Sequence, residues 1–176
     1  ERVYAGWLGK VIGVRFGAPI EMWTAEKISA FYGELSRYVA HYDEFAADDD
    51  TNGPLFFIRA LEDHACDETL TSAQIGDTLL NYAPYEHGFF WWGGYGVSTE
   101  NTVYTNLRNG IKAPQSGSFA QNGFIIPEQI GGQIFIDCWG LVNPSDYHRA
   151  ARFAQKAASV LCDGNGVYGG MFIAAC

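Results

Sequence analysis

The sequence predicts an all-α fold, and three observations support that prediction. Apolar residues recur every three to four positions in several segments, many of which begin at a capping residue or end at glycine. No stretch alternates apolar and polar residues over a useful length, as a half-buried strand would. The 176 residues are 48% hydrophobic and 15% aromatic, which supplies the core of one domain and excludes intrinsic disorder.

The first predicted helix covers residues 2–13, an apolar periodic segment that the break at 17–19 (Gly-Ala-Pro) ends. A second, short helix is predicted over 24–32, because Thr24 is a good N-cap and a glycine follows the last residue. Residues 34–47 show no periodic pattern, so we expect a loop or extended chain there.

A third helix is predicted to begin at Asp50, with Pro54 in its first turn, where the missing N–H of proline costs nothing. The three-to-four-residue spacing predicts an apolar face on this helix. That face consists of Leu55, Ile58, Leu61 and Ala65.

The remaining chain predicts further helices separated by two long loops. The helices are expected over residues 71–83, 98–109, 144–161 and 166–176. Residues 127–138 begin at Pro127 and are apolar through Ile134 and Ile136. The loop at 85–97 is rich in glycine and aromatic residues, whereas the loop at 111–126 is polar.

Both ends of the chain are apolar, which indicates an excerpt of a longer protein. It starts at Glu1 in an apolar segment and stops at Cys176 inside an apolar run, whereas natural domain ends are usually polar. We therefore expect residues 1–176 to be the N-terminal part of a single domain, cut at both ends, with any signal peptide removed.

The charge of the chain restricts its partners. There are 20 acidic and 11 basic side chains, a formal net charge of -9, and charged residues are only 18% against about 25% in typical domains. A nucleic-acid polymer is therefore an unexpected partner, because its binding needs a basic surface. The sequence contains no run of about 18 consecutive apolar residues, so it predicts no transmembrane helix.

The cysteines include no CxxC pair, which favours free buried thiols in a cytoplasmic protein over a zinc or disulfide scaffold. They are Cys66, Cys138, Cys162 and Cys176.

The acidic residues concentrate in one window, where five of the 20 fall within residues 43–50 and no Lys or Arg lies between Arg37 and Arg59. Asp48, Asp49 and Asp50 end this window at a predicted helix start. One aspartate there is an ordinary cap, but three repel each other unless a cation with oxygen ligands neutralises them. The run predicts a metal site or, alternatively, a capped and solvated acidic turn. Mg²⁺ is favoured over Zn²⁺ because no His or Cys adjoins the run.

Three other segments carry candidate ligand groups, each with a structural alternative. Glu21 follows a helix break and can project into a cleft, although a lone acid is more often a surface residue. The run 91–96 (WWGGYG) offers exposed amides and aromatic faces, or a tightly packed corner. The run 116–123 (SGSFAQNG) offers hydroxyls and amides to a phosphate or sugar, or is simply a turn-rich loop.

Together these segments resemble the ADP-ribosylglycohydrolase family, which includes the dinitrogenase reductase-activating glycohydrolases. Three motifs match in order: G-x-x-x-G-A-P-x-E at 13–21, D-D-T at 49–51 and S-x-x-x-N-G at 118–123. The stretches GQIFIDCWGLVNP and GNGVYGGMFIAA also look like a bacterial branch of the family, and the resemblance covers nearly the whole chain.

The resemblance implies an orthogonal multi-helix bundle, a binuclear Mg²⁺ centre and cleavage of the glycosidic bond between ADP-ribose and its acceptor. Asp49 and Asp50 match the first-half metal ligands, and Asp48 stands where the family usually has Ser or Thr. Glu21 matches the family's carboxylate that acts in acid–base catalysis or positions a water molecule. The positions near ADP-ribose are matched by Tyr95, Gly96, Val97, Ser118, Asn122 and Gly123. The family's second metal motif, D-x-D-T, has no copy after residue 51, so the second-half ligands are absent from this chain.

The resemblance predicts a Mg²⁺-dependent hydrolase acting on an ADP-ribosylated protein or an ADP-ribose-containing small molecule, with little activity from the 176-residue chain alone. An inactive family member that binds ADP-ribose or has a structural role is the alternative. Val14 motivates it, since the family usually has Asp there, and so does Cys162, where it often has His. A carbohydrate-active helical domain that uses 91–96 as a sugar platform is a third hypothesis.

Overall fold

The computed structural model describes residues 1–44, 48–65 and 68–176, and the chain divides into two compact units, Glu1–Ala46 and Ala47–Cys176. Cys66 therefore lies outside the described residues. Helices and 3₁₀ turns make up the regular structure of the described part, which contains no strand. The all-α prediction is confirmed.

The first unit contains two helices joined by a 3₁₀ turn. Helix α1 spans Arg2–Gly17, the turn spans Ala18–Ile20 and helix α2 spans Ala25–Tyr32. The hydroxyl of Thr24 accepts the amide of Lys27 at 3.2 Å, so the predicted cap of α2 is confirmed. None of the described residues 1–44 is buried.

The second unit contains the hydrophobic core and eight α-helices in its described residues. They are α3 Asp49–Asp63, α4 Ser72–Tyr82, α5 Thr99–Arg108, α6 Phe119–Asn122, α7 Gly131–Ile134, α8 Cys138–Leu141, α9 Tyr147–Leu161 and α10 Asn165–Ala175. Helix α9 is central, since it packs against α4, α7, α8 and α10. The largest fully buried side chains are Trp139, Phe57, Phe135, Leu70 and Ile75.

Helix α3 exposes much of its predicted apolar face, so that prediction was wrong. Leu55 is 48% exposed, whereas Phe57 and Ala60 on the other stripe are buried. Pro54 also lies inside the helix rather than in its first turn. The spacing rule failed because a short run of apolar residues fits two stripes of a helix, and the packing of Phe57 on Phe135 selects one.

The apolar segment 127–138 contains short elements rather than one long one. It comprises a 3₁₀ turn over Ile126–Glu128, helix α7 and the entry to α8. Its backbone packs closely on α10, because a side chain at Gly132 would overlap the carbonyl of Gly166. The polar loop at 111–126 likewise contains a 3₁₀ turn and α6. Within the described part of the chain, no helix combines the length and the apolar character that crossing a membrane requires.

Candidate metal and ligand site

The three consecutive aspartates lie at the start of α3. One carboxylate oxygen from each of Asp48, Asp49 and Asp50 lies within 4.8 Å of the others, and all three residues are half-buried. Asp48 has the extended backbone of an N-cap, but its side chain makes no capping hydrogen bond. Asp49 instead accepts the amide of Asp50 at 3.1 Å, and Asn52 donates to the carbonyl of Asp48 at 2.9 Å. Capping therefore does not account for the aspartate at the cap position.

Two buried oxygen atoms beside this cluster have no hydrogen-bond partner. They are Oδ1 of Asp48 and Oγ1 of Thr51, whose residue is 7% exposed. An unpartnered buried oxygen is destabilising unless another group satisfies it. All the candidate ligands are hard oxygen atoms, the donor type that Mg²⁺ prefers. The residues present therefore fit a divalent cation.

Glu100 adds a fourth carboxylate to this region, although no sequence motif indicates it. Its side chain enters a small pocket lined by aromatic rings, among them Phe57, Trp92 and Tyr104, and its Oε2 is buried without a partner. Burial raises the pKa of Glu100 to about 7, and the negative charge of Asp49 adds to the increase. A glutamate in the first turn of a helix is ordinary in sequence, so only the tertiary structure identifies it.

The Gly/aromatic loop that precedes α5 is partly packed and partly exposed. Trp92 contacts Tyr85 and Tyr104 at ring-centroid distances of 5.4 and 5.6 Å, and its Nε1 donates to a loop carbonyl at 2.9 Å. Trp91 and Tyr95 are 54% and 55% exposed. The loop is thus a packed corner that presents two aromatic faces.

The three predicted ligand positions in this loop differ in what they offer. The amide of Gly96 donates to the hydroxyl of Thr102 at 2.8 Å, and the amide of Val97 donates to Gly94 at 3.1 Å. The hydroxyl of Tyr95 donates to Oδ1 of Asn106 at 3.1 Å. The two amides are therefore committed within the protein, and the tyrosine ring remains the exposed group.

The predicted polar positions lie on α6 and its flanks. Ser118 caps α6, accepting from Gln121 at 3.3 Å and donating to the carbonyl of Gln115 at 2.9 Å. Asn122 donates to the carbonyl of Ser116 at 2.8 Å and accepts from Asn106 at 2.7 Å. Gly123 ends the helix with φ 71°, which glycine adopts without strain.

Glu21 belongs to the first unit. It directly follows the 3₁₀ turn Ala18–Ile20, its side chain is exposed, and its amide bonds to the carbonyl of Ala18 at 3.4 Å. Glu21 is thus an exposed carboxylate after the helix break, and its projection into a cleft stays a prediction.

The second unit contains two groups of residues that the motifs indicate. The aspartates cluster among themselves, Glu100 interacts electrostatically with Asp49, and Tyr95 is joined to Asn122 through Asn106. Sequence reasoning missed both Glu100 and Asn106, because neither belongs to a motif.

Comparison with known proteins gives one match. A family model described as ADP-ribosylglycohydrolase matches residues 1–176. No curated protein and no solved structure matches the chain.

Proposed function

Because the chain belongs to the ADP-ribosylglycohydrolase family, we propose that its protein is a Mg²⁺-dependent hydrolase that releases ADP-ribose from a protein side chain or a related small acceptor. The observation that carries the proposal is the cluster of three carboxylates with an unpartnered buried oxygen on Asp48. The thiol of Cys162 is buried and outside any disulfide, which supports a reducing, cytoplasmic compartment.

The acidic residues would divide the binding of the cation and the acid–base chemistry between them. Asp49 and Asp50 hold the cation, with Asp48 and the hydroxyl of Thr51 beside it. Bound Mg²⁺ supplies a positive charge that orients ribose hydroxyls and lowers the pKa of a water molecule. Glu21 would act as the acid–base residue of the reaction, as its match to the family's carboxylate implies.

The ligand loops bind the rest of the substrate. The exposed ring of Tyr95 provides a face for a planar group, and the polar segment at 118–123 would bind the phosphates. A strongly acidic chain needs the cation to admit an anionic ligand, which is a further reason to place the metal beside ADP-ribose.

The test compares two variants that each remove two negative charges. The full-length protein carrying Asp49→Ala and Asp50→Ala should lose ADP-ribose release from an ADP-ribosylated protein by at least roughly a hundredfold, as expected when metal ligands are removed. The control, Asp43→Ala with Glu44→Ala, changes exposed acids of the same window and should retain activity with Mg²⁺. Unchanged activity in the first variant, or activity that survives EDTA, would contradict the proposal.

An inactive, ADP-ribose-binding member is the second candidate. It is favoured by Cys162, where the family often has histidine, because burial raises the pKa of this thiol to about 12 and leaves no ionisable group near pH 7. Calorimetry distinguishes the two candidates, since ADP-ribose binding without release from any ADP-ribosylated protein supports this one.

A further inference from the structure

Helix α5 carries a row of three buried polar residues that face both ligand loops. Ser98, Thr102 and Asn106 are spaced four residues apart, which places them on one side of the helix and its N-cap. They are 0%, 1% and 1% exposed. Buried polar side chains are retained where their hydrogen bonds are satisfied, so the partners of this row indicate what it does.

The row holds the Gly/aromatic loop through three hydrogen bonds. The amide of Gly93 donates to Ser98 at 3.1 Å, and the amide of Gly96 donates to Thr102 at 2.8 Å. The hydroxyl of Tyr95 donates to Oδ1 of Asn106 at 3.1 Å. Only the last bond depends on an exposed side chain, so it alone can be removed without altering the backbone of the loop.

The last residue of the row also holds the polar segment before and within α6. Nδ2 of Asn106 donates to Oδ1 of Asn122 at 2.7 Å and to the carbonyl of Ser116 at 2.9 Å. Asn122 donates to the same carbonyl at 2.8 Å. The carbonyl can only accept, so it fixes the orientation of the Asn106 amide, whose donors and acceptor are then all engaged.

We propose that Asn106 is a positioning residue that couples Tyr95 to Asn122, so that the loop at 93–97 and the segment at 115–123 bind one ADP-ribose as a single unit. The coupling rests on the proposed function, because that function assigns both segments to the same ligand. Each loop holds the other through one amide, so loosening either loop loosens both.

The decisive variant is Tyr95→Phe, which removes one hydroxyl and keeps the exposed ring. The control is Tyr82→Phe, which removes a similar bond, from a 45% exposed ring to Asp63 at 3.3 Å, away from both loops. Losing one hydrogen bond changes an equilibrium by roughly fivefold. We expect Tyr95→Phe to speed amide hydrogen exchange in residues 115–123 and to weaken ADP-ribose binding in Mg²⁺ by about that factor, with no such effect from the control.

Combining Tyr95→Phe with a substitution of Asn106 distinguishes a positioning role of Asn106 from a general effect on stability. In Asn106→Ala, or in Asn106→Ser if the former does not fold, Tyr95→Phe should have no additional effect on either measurement, because the bond it removes is already absent. In turnover, Tyr95→Phe should raise KM roughly fivefold and leave kcat unchanged, since no reacting atom is touched.

The failures of the two proposals are distinguishable. If the wild-type protein binds ADP-ribose and Tyr95→Phe binds it equally well, the positioning role is wrong while the function stands. If the wild type does not bind ADP-ribose, the proposed function fails, and hydrogen exchange still decides the coupling. Unchanged exchange at 115–123 in Tyr95→Phe would overturn it in either case.

Discussion

Glu100 occupies the first turn of α5, where a carboxylate ordinarily faces solvent beside the positive end of the helix dipole. In this protein it lies among aromatic rings instead, and burial raises its pKa to about 7. The charge of Asp49 contributes to the same increase. Near neutral pH, Glu100 therefore exchanges a proton readily beside the candidate metal ligands, which is a property of acid–base groups in enzymes.

This raised pKa predicts a pH-dependent effect of Glu100→Gln on stability in EDTA. The folded protein binds the proton more tightly than the unfolded chain, whose pKa is near 4.5, so the stabilising contribution is present below about pH 4.5. It is lost as pH rises to about 7. The free energy of unfolding of Glu100→Gln should therefore gain about 3 kcal/mol on that of the wild type between pH 4.5 and pH 8.

Urea denaturation at the two pH values measures this difference. Glu86→Gln serves as the control, because it neutralises an exposed carboxylate in the same unit and should follow the wild-type profile. A constant difference between Glu100→Gln and the wild type across this range would show that the Glu100 carboxyl is not desolvated.

At the scale of elements, the helices predicted best were those with local caps. Thr71 and Gln74 form a reciprocal capping box at the start of α4, and Asp146 caps α9 through the amide of Arg149 at 2.9 Å. Such signals involve residues three apart, which a sequence displays directly. The buried stripe of α3 depends on packing between distant segments, so its prediction failed.

The same distinction divides the candidate site. The aspartate run is visible because its members are adjacent, whereas Glu100 and Asn106 become notable only through partners in other elements. Glu100 is about fifty residues from Asp49 along the chain, and their proximity follows from tertiary folding. Local sequence patterns therefore identify the candidate ligand segments, whereas Glu100 and Asn106 are identified only by their contacts in the folded protein.

The packing of α10 against α7 predicts different effects for two neighbouring glycines. A Cβ at Gly170 would overlap the backbone carbonyl oxygen of Gly132, which cannot move without shifting α7. A Cβ at Gly169 would meet only the side chain of Gln133, which can rotate away. Gly170→Ala should therefore lower the free energy of unfolding by about 1–3 kcal/mol, whereas Gly169→Ala should be neutral or stabilising by up to about 1 kcal/mol, since alanine favours a helix.

Thermal unfolding of the two variants tests this contrast. For a chain of this size, about 1 kcal/mol corresponds to a shift of roughly 2–4 °C. Equal shifts for Gly169→Ala and Gly170→Ala would show that α10 does not approach α7 at backbone contact.

At the scale of the whole molecule, the net charge of -9 is distributed unevenly. A quarter of the acidic residues lie in the window 43–50, and three of them form the cluster at the start of α3. Mutual repulsion among half-buried carboxylates lowers the stability of the metal-free protein. A divalent cation at this one place would both relieve that repulsion and provide an attractive charge for a small anionic ligand on an otherwise acidic molecule.

We therefore expect Mg²⁺ to stabilise the folded protein. At a concentration one hundred times its Kd, a ligand that binds only the folded state adds about 2.7 kcal/mol to the free energy of unfolding, which raises the melting temperature of such a chain by roughly 5–10 °C. Sodium chloride at matched ionic strength screens all the charges but cannot bridge Asp49 and Asp50, so its effect should be smaller. The variant carrying Asp49→Asn and Asp50→Asn should melt at the same temperature with and without Mg²⁺. An equal increase in sodium chloride, or an increase retained by the variant, would show that the acidic cluster acts only as surface charge.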